Sequence, residues 1–336
     1  NAHHIAYFES GWFPQRARGT SPDFPILGTG RYDWRGFDPA LQTETDIPFS
    51  AHPQAIDPTD LVSWNNKQAP RWAAADDNYG YGSIYRMQLI RDHMAGDMRA
   101  GHGRMDIAQL AQAMDLAATE DIRIEKLWPL LRTVLGRPAD ARLRRAISAL
   151  NTWYRHGGHR WDLGRTGTYS DNGAIETMDA WWPRLLRAEF DPVLGRTVFA
   201  ALRGMLGFGS VDTGGAPNPP DFAQGWYSYV SKDLRDLLHR SRVRGARRAA
   251  GAYSRVYCGR GSLGACRAAL RASLLAALTV TAKSMYGHGY CAGNPQPSCY
   301  DQNNWTIVSG LSIKPFPFQN RPTFQQVVEL TKTVPR

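Results

Sequence analysis

The spacing of apolar residues changes twice along the chain. Residues 3–13, HHIAYFESGWF, alternate as a strand and close on a Ser-Gly turn. Residues 14–60 are rich in Pro, Gly and Asp and read as loop, with a compact GTGRYDWRGF element at 28–37. Residues 61–64 read as a short strand ahead of SWNNKQAP at 63–70. From Tyr81 the period lengthens to that of a helix. YRMQLIRDHM, MDIAQLAQAMDLAATEDIR (Asp106 near its start), IEKLWPLLRTVLG, ADARLRRAISALNTWYRH, AIETMDAWWPRLLRAEF and SYVSKDLRDLLHR predict successive helices. RAALRASLLAALTVTAK, with Leu270, Leu274 and Leu278 on one stripe, predicts another of about 27 Å. Strand-like pattern returns in NWTIVSGLSIKPFPF and TFQQVVEL. The order β-rich, helical, β-rich predicts a sheet domain interrupted by a helical insert: segments 1–86, 87–250 and 251–336.

With 336 residues, 43 % of them hydrophobic, the chain is long enough for a sizeable core in one large domain or two. No run of 18 apolar residues is present, so no membrane span is expected. The start at Asn1, without Met or a visible leader, reads as a processed or truncated chain. Net charge is +10, carried by arginine, since lysine occurs only at 67, 126, 232, 283, 314 and 332. Charge of this kind speaks to solubility and association rather than chemistry.

The four cysteines form two equally spaced pairs in Gly/Pro-rich loops, CGRGSLGAC and CAGNPQPSC. Zinc ligands usually sit closer together. The helix predicted between the pairs separates Cys266 from Cys291, so local disulfides Cys258–Cys266 and Cys291–Cys299 are expected, as in an exported protein.

Most other motifs read more simply as structure. HGGHRWD at 156–162 offers His156, His159 and Asp162 but no further ligand, and fits a glycine turn better than a metal site. GTGRYD lacks the third glycine and the following helix of a dinucleotide fingerprint. RGSLG at 260–264 has Arg260 where a nucleophile elbow needs glycine. RSRVRGARR at 240–248 reads as a solvated basic run, with polyanion binding as the sharper alternative. Trp181 and Trp182 read as helix packing.

SWNNKQAP is different. The run IAYFESGWFPQRARGTSPDFPILGTGRYDWRGFDP, then VSWNNKQAP, then Arg86, then FQNRPTFQQ at 318–326, resembles in order the blocks of the penicillin acylase family of N-terminal-nucleophile (Ntn) hydrolases. The resemblance runs across essentially the whole chain and is densest over residues 5–90. It implies an α+β fold, part of an αββα core with a large helical insert. It also implies that Asn65 places its carboxamide in an oxyanion hole, a role suited to a donor that does not titrate. Arg86 is implied as the supporting arginine beside the site. Asp76 falls at a structural calcium position, with Asp77 and Asn78 as neighbouring oxygen donors. Arg321 falls near the core sheet, while Phe324 stands where the family carries an acid.

The family nucleophile is an N-terminal serine whose own α-amine is the base, and the motif order places it upstream of Asn1. The chain is therefore expected to be the C-terminal part of a β chain, inactive alone. Its expected partners are the upstream α chain and the N-terminal part of the β chain, with a small-molecule amide as substrate and no nucleic acid. No catalytic cofactor is implied, and the expected location is secreted or periplasmic. The competing class is a non-catalytic basic fragment that docks a partner chain or polyanion.

Overall fold

The computed structural model describes residues 4–20, 26–70, 72, 84–205, 226–249, 255–303, 316–317 and 326–329. The chain divides into two compact units, Asn1–Met87 with Gln326–Arg336, and Gln88–Gln325.

In the first unit, β1 (Ala6–Phe8) pairs antiparallel with β2 (Gln54–Ile56), Ala6 opposite Ile56 and Phe8 opposite Gln54. β2 lies in a stretch whose Pro and Gly content predicted loop alone. The polypeptide between the strands is stitched by backbone bonds rather than by a sheet. Arg35 N–H donates to Gln15 O at 2.7 Å, and Thr45 N–H to Arg35 O at 2.8 Å. His52 is 6 % exposed and packs against Phe13, Phe49 and Trp72. Its ring nitrogens face the carbonyls of Glu9 and Ile47 at 2.9 and 3.1 Å. The strand expected at 61–64 does not form. The Trp64 N–H that a ladder would need donates instead to the Asn66 side chain, which bends the chain.

The second unit is helical. α1 (Ile84–Ala100), whose first residues through Met87 belong to the first unit, is followed by α2 (Ile107–Thr119), whose Asp106 N-cap and Gln109 form a reciprocal capping box. A π-turn at Arg123–Leu127 leads into α3 (Trp128–Leu135), and α4 (Ala141–Arg155) starts on the Asp140 cap. α5 spans Asn172–Met205 with a break at Gly195, and α6 is Tyr227–Arg240. The long helix expected through Lys283 stops earlier. α7 (Leu263–Ala277) ends at Leu278, and a Thr281-capped turn starts the short α8 (Ala282–Tyr286), followed by α9 (Pro297–Tyr300). Beyond it β3 (Gln302–Asn303) pairs with β4 (Phe316–Pro317). The rest of the strand pattern expected after residue 303 lies outside the described residues, apart from 326–329, which carry no strand. The described architecture is thus mixed α and β, and mainly helical.

α5 and α7 pack together at the centre, burying Trp181, Trp182, Leu185, Leu270 and Leu274. Trp181 Nε1–H donates to Ser273 Oγ at 2.9 Å, so its one polar atom is satisfied there. Arg267 and Arg271 of α7 reach the carbonyls of Val134 and Leu135, closing the C-terminal end of α3. Cys258 is joined to Cys266 and Cys291 to Cys299, with Cα–Cα separations of 5.0 and 5.9 Å. Gly259 takes φ +58° between the first pair, where a Cβ would lie 2.3 Å from Cys266 N.

Beneath this apolar layer lies an ionic cluster. Arg123 Nη2 bonds Asp121 at 2.5 Å and Asp179 at 2.6 Å. Arg160 bonds Asp179 at 3.1 Å, Asp121 at 3.3 Å and Asp301 at 2.9 Å. Tyr286 donates to Asp179 at 2.7 Å and Tyr169 to Asp301 at 2.8 Å. Burial opposes ionisation of Asp179, but Arg160 and Arg123 outweigh it and hold that carboxyl at about 2. At Asp301 burial wins over Arg160, and its pKa is raised.

Asp179→Ala leaves two buried guanidiniums short of a carboxylate and should cost about 3–5 kcal/mol, read from urea unfolding. A loss below about 1 kcal/mol would show the cluster to be solvated. The two cysteine pairs should leave no thiol to alkylate in unreduced, denatured protein, and four after reduction. Mass spectrometry reads both states.

Candidate active site

The turn at SWNNKQAP is built by Asn66. Its Oδ1 accepts the Trp64 N–H at 2.9 Å, and its Nδ2 donates to Lys67 O at 3.1 Å. Both ends of that carboxamide are committed to the backbone, the oxygen reaching back two residues to Trp64. Asn65, at the apex, takes φ +59°, a left-handed conformation that Asn tolerates better than most residues. Its side chain is exposed and makes no hydrogen bond among the described residues. The two asparagines therefore do different work: Asn66 holds the turn, and Asn65 presents a carboxamide outward.

Trp64 anchors the turn with 8 % of its surface exposed. The Arg86 guanidinium, on the first turn of α1, lies over the Trp64 ring with Cζ 4.7 Å from the centroid. That is a cation–π contact, and it places a permanent positive charge on the residue next to Asn65. Asn65, Trp64 and Arg86 thus lie together, as two of the residues singled out in the sequence and the aromatic between them. Asp76, Arg321 and Phe324 lie outside the described residues, and with Asp76 the calcium expectation. Among the described residues, no group of three or more His, Cys, Asp or Glu converges as a metal site.

HGGHRWD, the other His-rich motif, serves the fold. Gly158 takes φ +65°, and a Cβ there would lie 2.4 Å from Ile124 Cγ2. His156 pairs with Asp171 at 3.0 Å, His159 stacks on Trp161, and Arg160 enters the ionic cluster. In the sequence Arg160 and the other charged members of that cluster each look like an ordinary surface charge in a turn or helix. A shallow cleft of about 500 Å³ at the start of α5 is lined by Arg145, Ser148, Thr152 and Asp171. Asp171 there already pairs with His156, and among the described residues no hydroxyl in the cleft is hydrogen-bonded to a histidine base.

A second titrating group gathers where α1, the end of α2 and the π-turn meet. His93 Nε2 bonds Glu120 at 2.7 Å, and that hydrogen bond, with the Glu120 charge behind it, holds the His93 pKa up. Burial, with Glu120 adding to it, pushes Glu125 up to about 7. Burial also brings His159 down to about 4.

The family model described as Penicillin amidase matches residues 1–333, and the chain belongs to that family. Penicillin G acylase from Escherichia coli is 31 % identical over 74 residues, which cover 21 % of this chain and 8 % of that protein. The match therefore spans a small fraction of the relative's length.

The titrating group makes a prediction. Glu125 in the unfolded chain titrates near its ordinary value of about 4.3, and in the native state at about 7. The native state therefore binds the extra proton, and stability falls as pH rises between those values, by on the order of 2–3 kcal/mol. His93, with its raised pKa, acts in the same direction at the top of that window, while His159 makes stability fall as pH drops from about 6.5 to about 4. Glu125→Gln should flatten the alkaline limb and leave the acid limb, measured as Tm from pH 4 to 9. An unchanged alkaline limb would mean the carboxyl is solvated.

Proposed function

We propose that this chain is part of an amide hydrolase in which Asn65 stabilises the oxyanion of the tetrahedral intermediate. The observation that carries this reading is the division of labour within the Asn-Asn pair. A carboxamide that built the turn would have its N–H spent on backbone, as that of Asn66 is. The Asn65 N–H is left for a ligand. Its apex backbone is fixed by the Asn66 bonds and by Trp64 beneath Arg86, so the donor is preorganised and little reorganisation is needed when negative charge develops.

The reaction is written from the family. An upstream N-terminal serine attacks the carbonyl of a carboxylic amide, and its hydroxyl proton passes to the serine's own α-amine. The resulting oxyanion accepts the Asn65 Nδ2–H. Collapse expels the amine, which takes the proton from the α-ammonium, and water then hydrolyses the ester to release the acid and regenerate the serine. Arg86 acts through Trp64 and the turn rather than on the reacting atoms, and is a positioning residue. The substrate is a small-molecule amide whose acyl pocket is formed mainly by upstream polypeptide. The two disulfides support assembly in an oxidising compartment, secreted or periplasmic.

The test is kinetic. In the complete enzyme, Asn65→Ala should lower kcat on a chromogenic aryl-acyl amide by about 10²- to 10³-fold, with KM and Tm little changed. Asn66→Ala should lower Tm as well as activity, because it removes the turn. If Asn65→Ala keeps near-full turnover, Asn65 is a turn residue and the proposal fails.

A further inference from the structure

The excess charge of this protein is segregated. Between Leu237 and Tyr300 there is no Asp or Glu, and there are ten cationic residues, nine of them Arg. The net charge is +10, so the other 30 cationic residues of the chain balance its 30 acidic ones.

Some of the ten have work inside the fold. Arg260, Arg267 and Arg271 donate to the carbonyls of Pro192, Val134 and Leu135. Five others do not. Arg240, Arg242, Arg244, Arg247 and Arg248 are all exposed, on the end of α6 and the loop after it. None of the five makes an ion pair among the described residues, where the nearest acids of α6 are turned inward. Asp233 accepts the N–H groups of Tyr257 and Cys258 at 2.6 and 2.8 Å, and Asp236 accepts that of Ala249 at 3.0 Å.

The loop is nevertheless held. Val243 N–H returns to Leu238 O and Ala246 N–H to Val243 O, each at 3.0 Å. Arg235 binds Arg248 O at 3.0 Å, and Asp236 fixes the loop's exit at Ala249. Arg242 and Gly245 take the left-handed conformations that the two turns require, at φ 55° and 78°. The C-terminal end of the α6 dipole favours Arg240, but it fades within a turn and does not neutralise the other four. Five like charges crowded on a pinned loop repel one another. With no counterion among the described residues, the arrangement fits an external one.

We infer that the Arg240–Arg248 loop docks the protein on a phosphate-bearing anionic lipid surface. Guanidinium forks match phosphate oxygens bidentately, which a lysine patch would not do. The five side chains are individually exposed rather than gathered into a cavity, which suits a laterally extended field of headgroups better than one bound anion. The loop carries no aromatic residue on which a nucleobase could stack, and its one sizeable apolar side chain, Val243, is half-buried. Docking is therefore electrostatic, shallow and salt-labile. This inference does not depend on the amidase reading.

Sedimentation with vesicles tests it. The probes are phosphatidylcholine vesicles with and without about 30 mol % phosphatidylglycerol, at low and high salt. The intact protein should bind the anionic vesicles and ignore the neutral ones. Replacing all five loop arginines by Gln should reduce partitioning by about fivefold per residue, and raised salt should do the same to the native protein. A charge-matched variant, with Arg104, Arg137, Arg145, Arg155 and Arg165 changed to Gln, should lose far less. Thermal melts of both variants confirm that they remain folded, and single loop substitutions replace the quintuple if it does not. Equal losses in the two variants would reduce the effect to net charge and overturn the docking site. So would retention on heparin or duplex DNA with no binding to anionic vesicles.

Discussion

The helical unit is organised around two arginines that it cannot solvate. Arg123 and Arg160 are almost wholly buried, and between them they engage Asp121, Asp179 and Asp301. These residues come from the π-turn and the residues just before it, the segment after α4, the second turn of α5 and the end of α9. Each element must therefore arrive in register, because a missing carboxylate would strand a guanidinium in the interior. Specificity of packing in this unit comes from the charges, and cohesion from the tryptophans and leucines around them.

The glycines of HGGHRWD follow from the same constraint. Arg160 lies directly after a turn in which Gly157 and Gly158 both hold left-handed backbone. A side chain at 158 would strike Ile124, one residue beyond Arg123. The turn thus presses against the π-turn that delivers the other arginine, and the two deliveries are mechanically one. A motif that looks like scattered metal ligands in the sequence is a device for bringing a cation inward. A second buried acidic site obeys a different rule. Among the described residues Glu189 and Asp233 interact with no cation beside them, and burial followed by the charge of Asp233 raises the Glu189 pKa well above its ordinary value. Asp233 is then free to accept the N–H groups at the start of the first disulfide loop.

Helices were legible in the sequence because an amphipathic stripe is local information. Asp106 and its capping partner Gln109, three residues on, are both visible there. The expected helix through Lys283 failed because the stripe formed by Leu270 and Leu274 carries no notice of the Thr281 cap that restarts the chain. The strand expected at 61–64 failed for a related reason. Apolar Leu61, Val62 and Trp64 fit a pleat, but whether a ladder forms depends on where the Trp64 N–H goes, and Asn66 takes it. The ionic cluster was not legible at all, since Asp301 meets Arg160 across 141 positions of sequence. Of the candidate site, the resemblance drew attention to Asn65 and Arg86, while the contact of Arg86 with Trp64 came from the structure.

The Asn-Asn pair shows how a turn can be made stable and still leave a donor unused. A turn closed by a single Asn satisfies itself and presents nothing. Doubling the residue separates the two tasks: the second Asn closes the turn on backbone at both ends of its amide, and the first is held at the apex with φ +59°. That apex position directs the side chain away from the polypeptide it interrupts. In the role proposed for Asn65 rigidity matters more than strength, because an oxyanion donor contributes by being in place before charge develops. Trp64 supplies bulk below the turn and Arg86 a charge over the ring of that tryptophan. A neutral carboxamide also keeps its donor at every pH at which the fold survives, so any pH dependence of the proposed chemistry must originate in other groups.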